Sequence, residues 1–312
     1  MQAIATITVP FFAIIFFGYL AARLRWVPQE AVPAFNGFLL YFAVPAMLFR
    51  LVSEMPVADF SQYGYLLAYS VAGVFTLLLI VAGALAIFRA RLRDAAFYGL
   101  AGSVTNVGYL GIPLVVALLG ERAAGPAVMS TVVDQTVTAA AALALAQFEL
   151  SGGRGWIKGT AEAVLRALTN PFLISIVAGA VVALLGWKLP TPAVEIVRLL
   201  GNSAGPCALF AIGVSLVRIN EPLSSAIIAL PVAGKLLLHP FLTWVILSAL
   251  DIDPFAKTVA VLTAALPTAG WAFIFAQRYD ADAPRVSAVI LCTTALSFAT
   301  VSALVWWLQI KV

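Results

Sequence analysis

Long apolar stretches, separated by short breaks rich in charge, proline or glycine, make up most of this chain. A helix that spans a bilayer needs about 20 consecutive apolar residues, and ten stretches approach or exceed that length. The pattern therefore predicts an all-α polytopic membrane protein with about ten transmembrane helices. The stretches cover residues 5–24, 33–52, 64–88, 95–119, 126–148, 170–187, 192–217, 224–249, 255–277 and 284–309.

The composition excludes a water-soluble fold. Of the 312 residues, 63% are hydrophobic and only 10% are charged, and the mean hydropathy is +1.04. Soluble domains carry about 25% charged residues, so this chain has too few charges to cover a surface in water. The basic residues are scattered among loops rather than clustered, so the net charge of +4 does not indicate a nucleic-acid partner.

The cysteine and histidine content gives no sign of a disulfide framework or a metal. Cys207 and Cys292 both fall in apolar stretches, and His239 is the single histidine. Without a CxxC pair or a histidine cluster we expect no metal and no cofactor. No basic region precedes the first apolar stretch, which we interpret as a membrane helix rather than a removed signal peptide.

Basic residues are unequally divided between the two sets of predicted loops. The odd-numbered loops hold 11 Lys and Arg residues, and the opposite side of the membrane holds 6. Because cytoplasmic loops carry the excess of Lys and Arg, the odd-numbered loops are predicted to be cytoplasmic. Both termini are then expected on the periplasmic side of a bacterial inner membrane.

The two halves of the chain resemble each other at a constant offset of 161 residues. PFFAIIFFGYLAARLRW at 10–26 aligns without a gap with PFLISIVAGAVVALLGW at 171–187, and the same offset places Asn106 on Pro267. We therefore divide the chain into two five-helix repeats, 1–150 and 162–312, joined by a cytoplasmic linker at 151–161. An odd number of helices in each repeat inverts the second copy in the membrane, as in many secondary transporters.

The fourth and ninth stretches are broken at matching positions of the two repeats. The fourth contains SVTNVGYLGIPLV, and the ninth contains a proline followed by threonine and glycine. Breaks in membrane helices are tolerated where they line a protein cavity, and paired breaks point to a transporter site. Their half-helix N-termini suit an anionic group, although simple proline kinks remain the alternative. The residues assigned to this site are Asn106, Gly108, Pro113, Pro267, Thr268 and Gly270.

Two ionisable residues lie deep within predicted helices, where charge is costly and usually functional. Asp134 is predicted to carry a coupling proton or Na⁺. Lys235 is predicted to neutralise a substrate carboxylate or to pair with Asp134. The alternative role of both is a buried ion pair that fixes helix packing.

Other polar residues in the apolar stretches form a second rank of candidates. Gln135, a large amide beside Asp134, is assigned to the substrate site. Asn202, Ser203 and His239 are weaker candidates, and a polar packing role is favoured for His239.

Several segments resemble the auxin efflux carrier family, which includes plant PIN-type carriers and bacterial malate and malonate permeases. They are TNVGYLGIPL, ALPTAGWAFIFAQRYDADAP, NPFLIS at 170–175 and ALFAIGVSL at 208–216, and the resemblance extends over essentially the whole chain. It implies a ten-helix, two-domain fold in which helices four and nine cross at their breaks and bind carboxylate anions. It also makes a homodimer plausible.

The resemblance carries over to particular residues. Asn106 and Pro113 match the helix-four crossover, and Pro267 matches that of helix nine. Gln135 and Lys235 match polar and basic positions of the plant carriers. Those carriers have a hydrophobic residue where Asp134 stands, so the role of Asp134 does not follow from the resemblance. The long cytoplasmic loop of many plant members is also absent.

These observations favour a secondary transporter for small organic anions such as malonate, malate or auxin-like carboxylates, working by alternating access at the crossover. The alternatives are a passive anion channel, which needs a continuous polar lining, and a proton- or sodium-coupled antiporter of the related bile-acid and cation–proton fold. An enzyme is not expected, because the chain has no HExxH, no GxSxG and no acid pair within the membrane. The expected partners are a carboxylate substrate and the lipid bilayer.

Overall fold

The computed structural model describes residues 2–54, 63–150, 171–215, 217, 225–250 and 252–308. Within these ranges the chain is helical apart from turns and short connections, and its only β-structure is one isolated bridge. The all-α prediction is confirmed for this part of the chain. The predicted linker at 151–161 and the first residues of the predicted second repeat lie outside the described residues.

The helices coincide with the predicted apolar stretches, and the fourth and ninth are each divided into two shorter helices, a and b. In order they are α1 Gln2–Arg23, α2 Val32–Ser53, α3 Tyr63–Phe88, α4a Leu92–Ala101, α4b Ile112–Leu119, α5 Glu121–Leu150, α6 Pro171–Leu185, α7 Thr191–Ser215, α8 Ala226–Ala249, α9a Pro254–Ala264, α9b Trp271–Arg278 and α10 Ala283–Trp307. Among the described helices α2, α3, α5, α8 and α10 are long and apolar enough to cross a membrane. The arrangement as ten spans in two inverted repeats stays a prediction.

Local sequence sets several of the helix ends. The carboxylate of Asp253 accepts a hydrogen bond from the Ala256 amide at 2.9 Å and caps α9a, and Asp282 caps α10 in the same way. Each cap is followed by a proline in the first turn, where its missing N–H has no cost. Gly120 and Gly186, which follow α4b and α6, adopt positive φ values of 82° and 61° that favour glycine.

Four helices contain a widened π-helical turn within the described residues, at Leu39–Ala43, Val107–Gly111, Asp134–Thr138 and Gly234–Leu238. Three of these turns are followed two residues later by Pro45, Pro113 or Pro240. A proline clashes with the carbonyl four residues before it, and a widened turn relieves this clash. The turn at Asp134–Thr138 has no such proline, and π turns without a steric cause often mark functional sites.

The helices pack in two groups. One group contains α1, α2, α6 and α7, with its closest packing between α1 and α7 and between α2 and α6. The other contains α3, α4, α5, α8, α9 and α10. A large apolar core joins α2, α4b and α7 across the boundary between the groups, and a second core lies within the larger group.

Glycines allow the close packing of the smaller group, and their contacts recur at the offset found in the sequence. A Cβ atom at Gly18 would overlap the carbonyl oxygen of Phe210. A Cβ atom at Gly179 would lie 2.8 Å from the carbonyl oxygen of Phe49. Gly179 and Phe210 each stand 161 positions after Gly18 and Phe49, so the two contacts are equivalent in the two halves.

Replacing Gly213 with alanine is expected to destabilise the packing of α1 against α7. The added methyl group would overlap the carbonyl oxygen of Ile15, and overpacking of this kind costs about 1–3 kcal/mol. The apparent Tm of the purified protein should fall. Gly37→Ala is the matched control, because no atom lies within 4 Å of its Cβ position. Equal Tm values for the two variants would contradict the close approach of the helices.

Candidate functional site

The breaks of α4 and α9 contact each other through their backbones. The Asn106 amide donates a hydrogen bond to the carbonyl oxygen of Pro267 at 2.9 Å, and Thr105 and Thr268 form the isolated antiparallel bridge. The Thr268 hydroxyl donates to the carbonyl oxygen of Ala101, the last residue of α4a, at 2.5 Å. Each break therefore satisfies part of the backbone that the other exposes, as the membrane interior requires.

Other backbone groups at the breaks remain available. The first amides of a helix have no acceptor within it. The amides of Gly108, Gly270 and Trp271 donate no hydrogen bond within the described chain. These three amides belong to the turn that leads into α4b and to the start of α9b. They are hydrogen-bond donors at the positive ends of helix dipoles.

A cavity of about 520 Å³ lies where the two helix groups meet. The first turns of α2, together with Phe172 of α6 and two alanines of α7, line it from the smaller group. The two breaks line it from the larger group, together with residues of α5 and α10. Its lining combines amide, hydroxyl and carboxylate groups with aromatic and aliphatic side chains, which is typical of small-molecule sites.

Five of the residues predicted from the sequence line this cavity. They are Asn106, Gly108, Asp134, Gln135 and Gly270. The remaining candidates are absent from its described lining: Pro113, Pro267, Thr268, Lys235, His239, Asn202 and Ser203. The structure thus brings the two breaks and the polar turn of α5 together around one space.

The candidates outside the lining have other contacts. Pro267 and Thr268 make the backbone contact between the breaks. Pro113 lies in the first turn of α4b, beside Gly205 of α7. Asn202 is exposed, and the hydroxyl of Ser203 donates to the carbonyl oxygen of Leu200 within α7 at 2.6 Å.

Thr105 connects the two buried charges. Its amide donates to Asp134 Oδ2 at 2.8 Å, and its hydroxyl oxygen accepts a hydrogen bond from Lys235 Nζ at 2.7 Å. Asp134 and Lys235 form no direct ion pair in the part of the chain that the structure describes. One threonine at the break therefore contacts both the carboxylate and the ammonium group.

Lys235 is completely buried and uses all three of its donors. Besides Thr105, it contacts the carbonyl oxygen of Ala264 at 2.7 Å and His239 Nδ1 at 3.0 Å. A charged lysine only donates, so His239 accepts at Nδ1, and the hydrogen of the neutral ring is assigned to Nε2. Ala264 ends α9a, and its carbonyl is among those that lose their helical partner at the break.

Asp134 is the only charged residue in the described lining of the cavity. It is 1% exposed, and its Oδ1 atom has no hydrogen-bond partner in the described chain. Burial of an unpaired carboxylate oxygen is expensive, which makes Asp134 a candidate functional residue. The counterparts of Asp134 and Lys235 at the repeat offset are Ala295 and Val74, so neither charge is repeated.

Sequence reasoning missed several residues of the site. Thr105 is one of several hydroxyl residues in the apolar stretches, and only its place beside Asn106 could have suggested it. Asn36 lines the cavity, and its side chain makes no hydrogen bond to other described residues. Asn36 could have been predicted as a site residue, since it carries a side-chain amide inside an apolar stretch. Trp271 and Thr294 also line the cavity, from α9b and α10.

A polar cluster ties the far ends of the two broken segments together. The Asp282 amide donates to Asp94 Oδ1 at 3.0 Å, and the Tyr98 hydroxyl donates to Asp282 Oδ2 at 2.6 Å. Arg91 contacts both carboxylate oxygens of Asp94, at 2.7 and 3.2 Å. The start of α4a is thereby fixed to the loop between α9b and α10.

Comparisons with known proteins identify a family of membrane transport proteins. A family model described as "Membrane transport protein" matches residues 3–155 and again residues 156–307. The chain is 36% identical to a "Putative malonate transporter" of Rhizobium meliloti (strain 1021), over 99% of this chain and 97% of the relative. It is 25% identical to the "Uncharacterized transporter YfdV" of Escherichia coli (strain K12), over 97% and 96%.

A third relative, an "Uncharacterized transporter" of Methanothermobacter thermautotrophicus, is 27% identical over 92% of each chain. The family match and these relatives identify an integral membrane transporter rather than an enzyme. They confirm the resemblance seen in the sequence. The chain belongs to this family of membrane transport proteins, the auxin efflux carriers.

Proposed function

We propose that this transporter carries small organic anions across a bacterial inner membrane by alternating access at the contact between the α4 and α9 breaks. The observation that carries the proposal is the cavity shared by both breaks, where unpaired amides of Gly108, Gly270 and Trp271 meet. Malonate is the first candidate, because the relative with 36% identity is named for it. Malate and auxin-like carboxylates present the same anionic group.

The donors at the breaks suit a carboxylate. Backbone amides at helix N-termini bind anions through hydrogen bonds and through the helix dipole. The side-chain amides of Asn36 and Asn106 add neutral donors to the same cavity. No lysine, arginine or histidine is present in its described lining. The anion is therefore held by dipoles and hydrogen bonds, and such a site releases its ligand more readily than a full counter-charge would.

The position of the cavity supports alternating access. It lies between the group of α1, α2, α6 and α7 and the larger group that contains both breaks. In transporters built from inverted repeats, movement of one bundle against the other exposes a central site to each side in turn. We propose that the larger group carries the substrate past the smaller one. A homodimer with periplasmic termini completes the proposed arrangement.

Asp134 is the proposed coupling residue, for a proton or for Na⁺. It lines the cavity and lies on the π turn that no proline explains. Lys235 balances its charge through Thr105 and supports the broken end of α9a. In this proposal Lys235 positions the site without touching the substrate. Saturable, gradient-dependent flux would separate this carrier from a passive channel, and obligatory exchange would indicate an antiporter.

Replacing Asn106 with alanine is expected to reduce malonate uptake at subsaturating concentration by about tenfold or more. The loss of one hydrogen bond to a charged ligand costs about 1.5–3 kcal/mol. Uptake of labelled malonate into proteoliposomes measures this effect. Asn202→Ala is the matched control, because Asn202 is exposed on α7 outside the described lining. Equal rates for the two variants would remove Asn106 from the substrate site.

Replacing Asp134 with asparagine is expected to abolish the response of transport to an imposed gradient. The amide is nearly isosteric with the carboxylate but neither titrates nor carries charge in the physiological range. Uptake into proteoliposomes with an imposed pH gradient, and separately with a Na⁺ gradient, identifies the ion as well. A normal response of the variant to both gradients would place coupling elsewhere.

Replacing Lys235 with methionine is expected to destabilise the protein by about 3–5 kcal/mol, because the buried charge of Asp134 loses its balance. The double variant Asp134→Asn/Lys235→Met removes both charges and should recover part of the lost Tm. Lys188→Met, in the exposed turn after α6, is the control substitution. A double variant less stable than Lys235→Met would contradict charge balance between the two residues.

A further inference from the structure

The two oxygens of the Asp134 carboxylate have different surroundings. Oδ2 accepts the Thr105 amide hydrogen at 2.8 Å, whereas Oδ1 is buried without a partner in the described chain. Asp134 nevertheless forms part of the cavity wall. A single acceptor at the wall of a binding cavity calls for a hydrogen-bond donor on the ligand.

The cavity has two kinds of wall. At the helix breaks it offers the donors Gly108, Gly270 and Trp271, which suit a carboxylate. On α5 it offers the acceptor Asp134, whose balancing charge lies behind Thr105 and outside the described lining. One carboxylate of a fully ionised dicarboxylate would accept hydrogen bonds from the amides at the breaks. The other would be repelled by the carboxylate of Asp134. Two carboxylates in contact cannot both be ionised, and they share one proton instead.

We propose that the transporter binds a dicarboxylate together with one proton, which is held between Asp134 Oδ1 and the substrate carboxyl group remote from the breaks. Asp134 thereby selects ligands that carry one carboxylate and one hydrogen-bond donor. The proton forms no covalent product, and it enters and leaves with the substrate. This inference rests on the proposed function and specifies the form in which the substrate travels.

Contact with a ligand requires a movement of the Asp134 side chain. Oδ1 is enclosed, so the carboxylate turns about its last side-chain torsion to meet the ligand. That torsion is soft, because it joins tetrahedral and planar carbons. The π turn at Asp134–Thr138 leaves this part of α5 without its regular helical bonding.

Other titratable groups lie near Asp134, and all but Tyr69 are held in hydrogen bonds of their own; the Tyr69 hydroxyl is buried without a hydrogen-bond partner in the described chain. Tyr65 and Tyr69 of α3 lie close enough to Asp134 to interact with it electrostatically. The hydroxyl of Tyr65 donates to the carbonyl oxygen of Pro126 at 2.9 Å. Lys235 and His239 of α8 contact each other, and Lys235 reaches Thr105. None of these four is part of the described cavity lining. Asp134 is thus the titratable group that a ligand meets directly.

Three ligands of similar size test the inference on the unmodified protein. Malonate gains its donor only by taking up a proton. Malonamate, the monoamide, always carries an N–H donor beside one carboxylate. Monomethyl malonate carries one carboxylate and no donor. Binding is measured by calorimetry on the detergent-purified protein over a range of pH values.

The expected results differ for each ligand. Malonate affinity should fall by about tenfold per pH unit once the pH exceeds both the second pKa of the ligand and the pKa of Asp134, because binding then takes up one proton. Malonamate affinity should be nearly independent of pH over that range. Monomethyl malonate should bind at least tenfold more weakly than malonamate. Malonate binding that is independent of pH, or equal affinities for malonamate and the ester, would overturn the inference.

Malonate binding by the Asp134→Asn variant is a second test of the inference. Its amide nitrogen can donate to an ionised carboxylate, so the pH dependence of malonate binding should disappear while binding persists. Retention of the full dependence would overturn the proposed place of the proton. Failure of all three ligands to bind the unmodified protein would refute the proposed substrate, and this inference with it. Binding of malonate and malonamate without the pH pattern would refute the inference alone.

Discussion

The hydrogen bond from the Asn106 amide to the Pro267 carbonyl is the contact on which the site depends. A membrane interior offers no water to backbone groups released from a helix, so each break needs partners within the protein. Here the two breaks supply partners to each other through this bond, the bridge at Thr105 and the hydroxyl of Thr268. The amides left over are those that line the cavity, because the remaining groups are already satisfied. The hydrogen bonds between the two breaks thus determine which backbone amides remain without an acceptor.

The two buried charged side chains, like the backbone at the breaks, need hydrogen-bond partners within the protein. Lys235 satisfies a carbonyl freed at the end of α9a and the hydroxyl of Thr105, while Thr105 holds Asp134. The charged network therefore continues the contact between the breaks and also stabilises it. Removal of either charge affects the backbone as well as the electrostatics of the cavity. A residue can in this way be essential to a binding site from which its own side chain is absent.

Much of this organisation could be predicted from the sequence, because apolar length and helix breaks depend on local composition. The helix positions, the matched breaks at Asn106 and Pro267, and the isolated charges were all visible. The role of Thr105 was not, since a threonine in a membrane helix usually bonds only to its own backbone. Nor could the sequence separate Lys235, behind the break, from Asp134, in the cavity wall. That difference depends on which way each helix faces once it is packed.

The unequal distribution of charge between the halves has a consequence for energetics. The glycine contacts repeat at a fixed offset, but Asp134 and Lys235 correspond to Ala295 and Val74. If identical halves exchanged roles during transport, the inward and outward conformations would be related by a two-fold rotation and would have equal free energies. The single acid and base are among the differences that remove this equality. In the proposed mechanism, Asp134 and Lys235 therefore contribute to the difference in free energy between the two conformations, and substitutions there would shift the populations of the empty carrier.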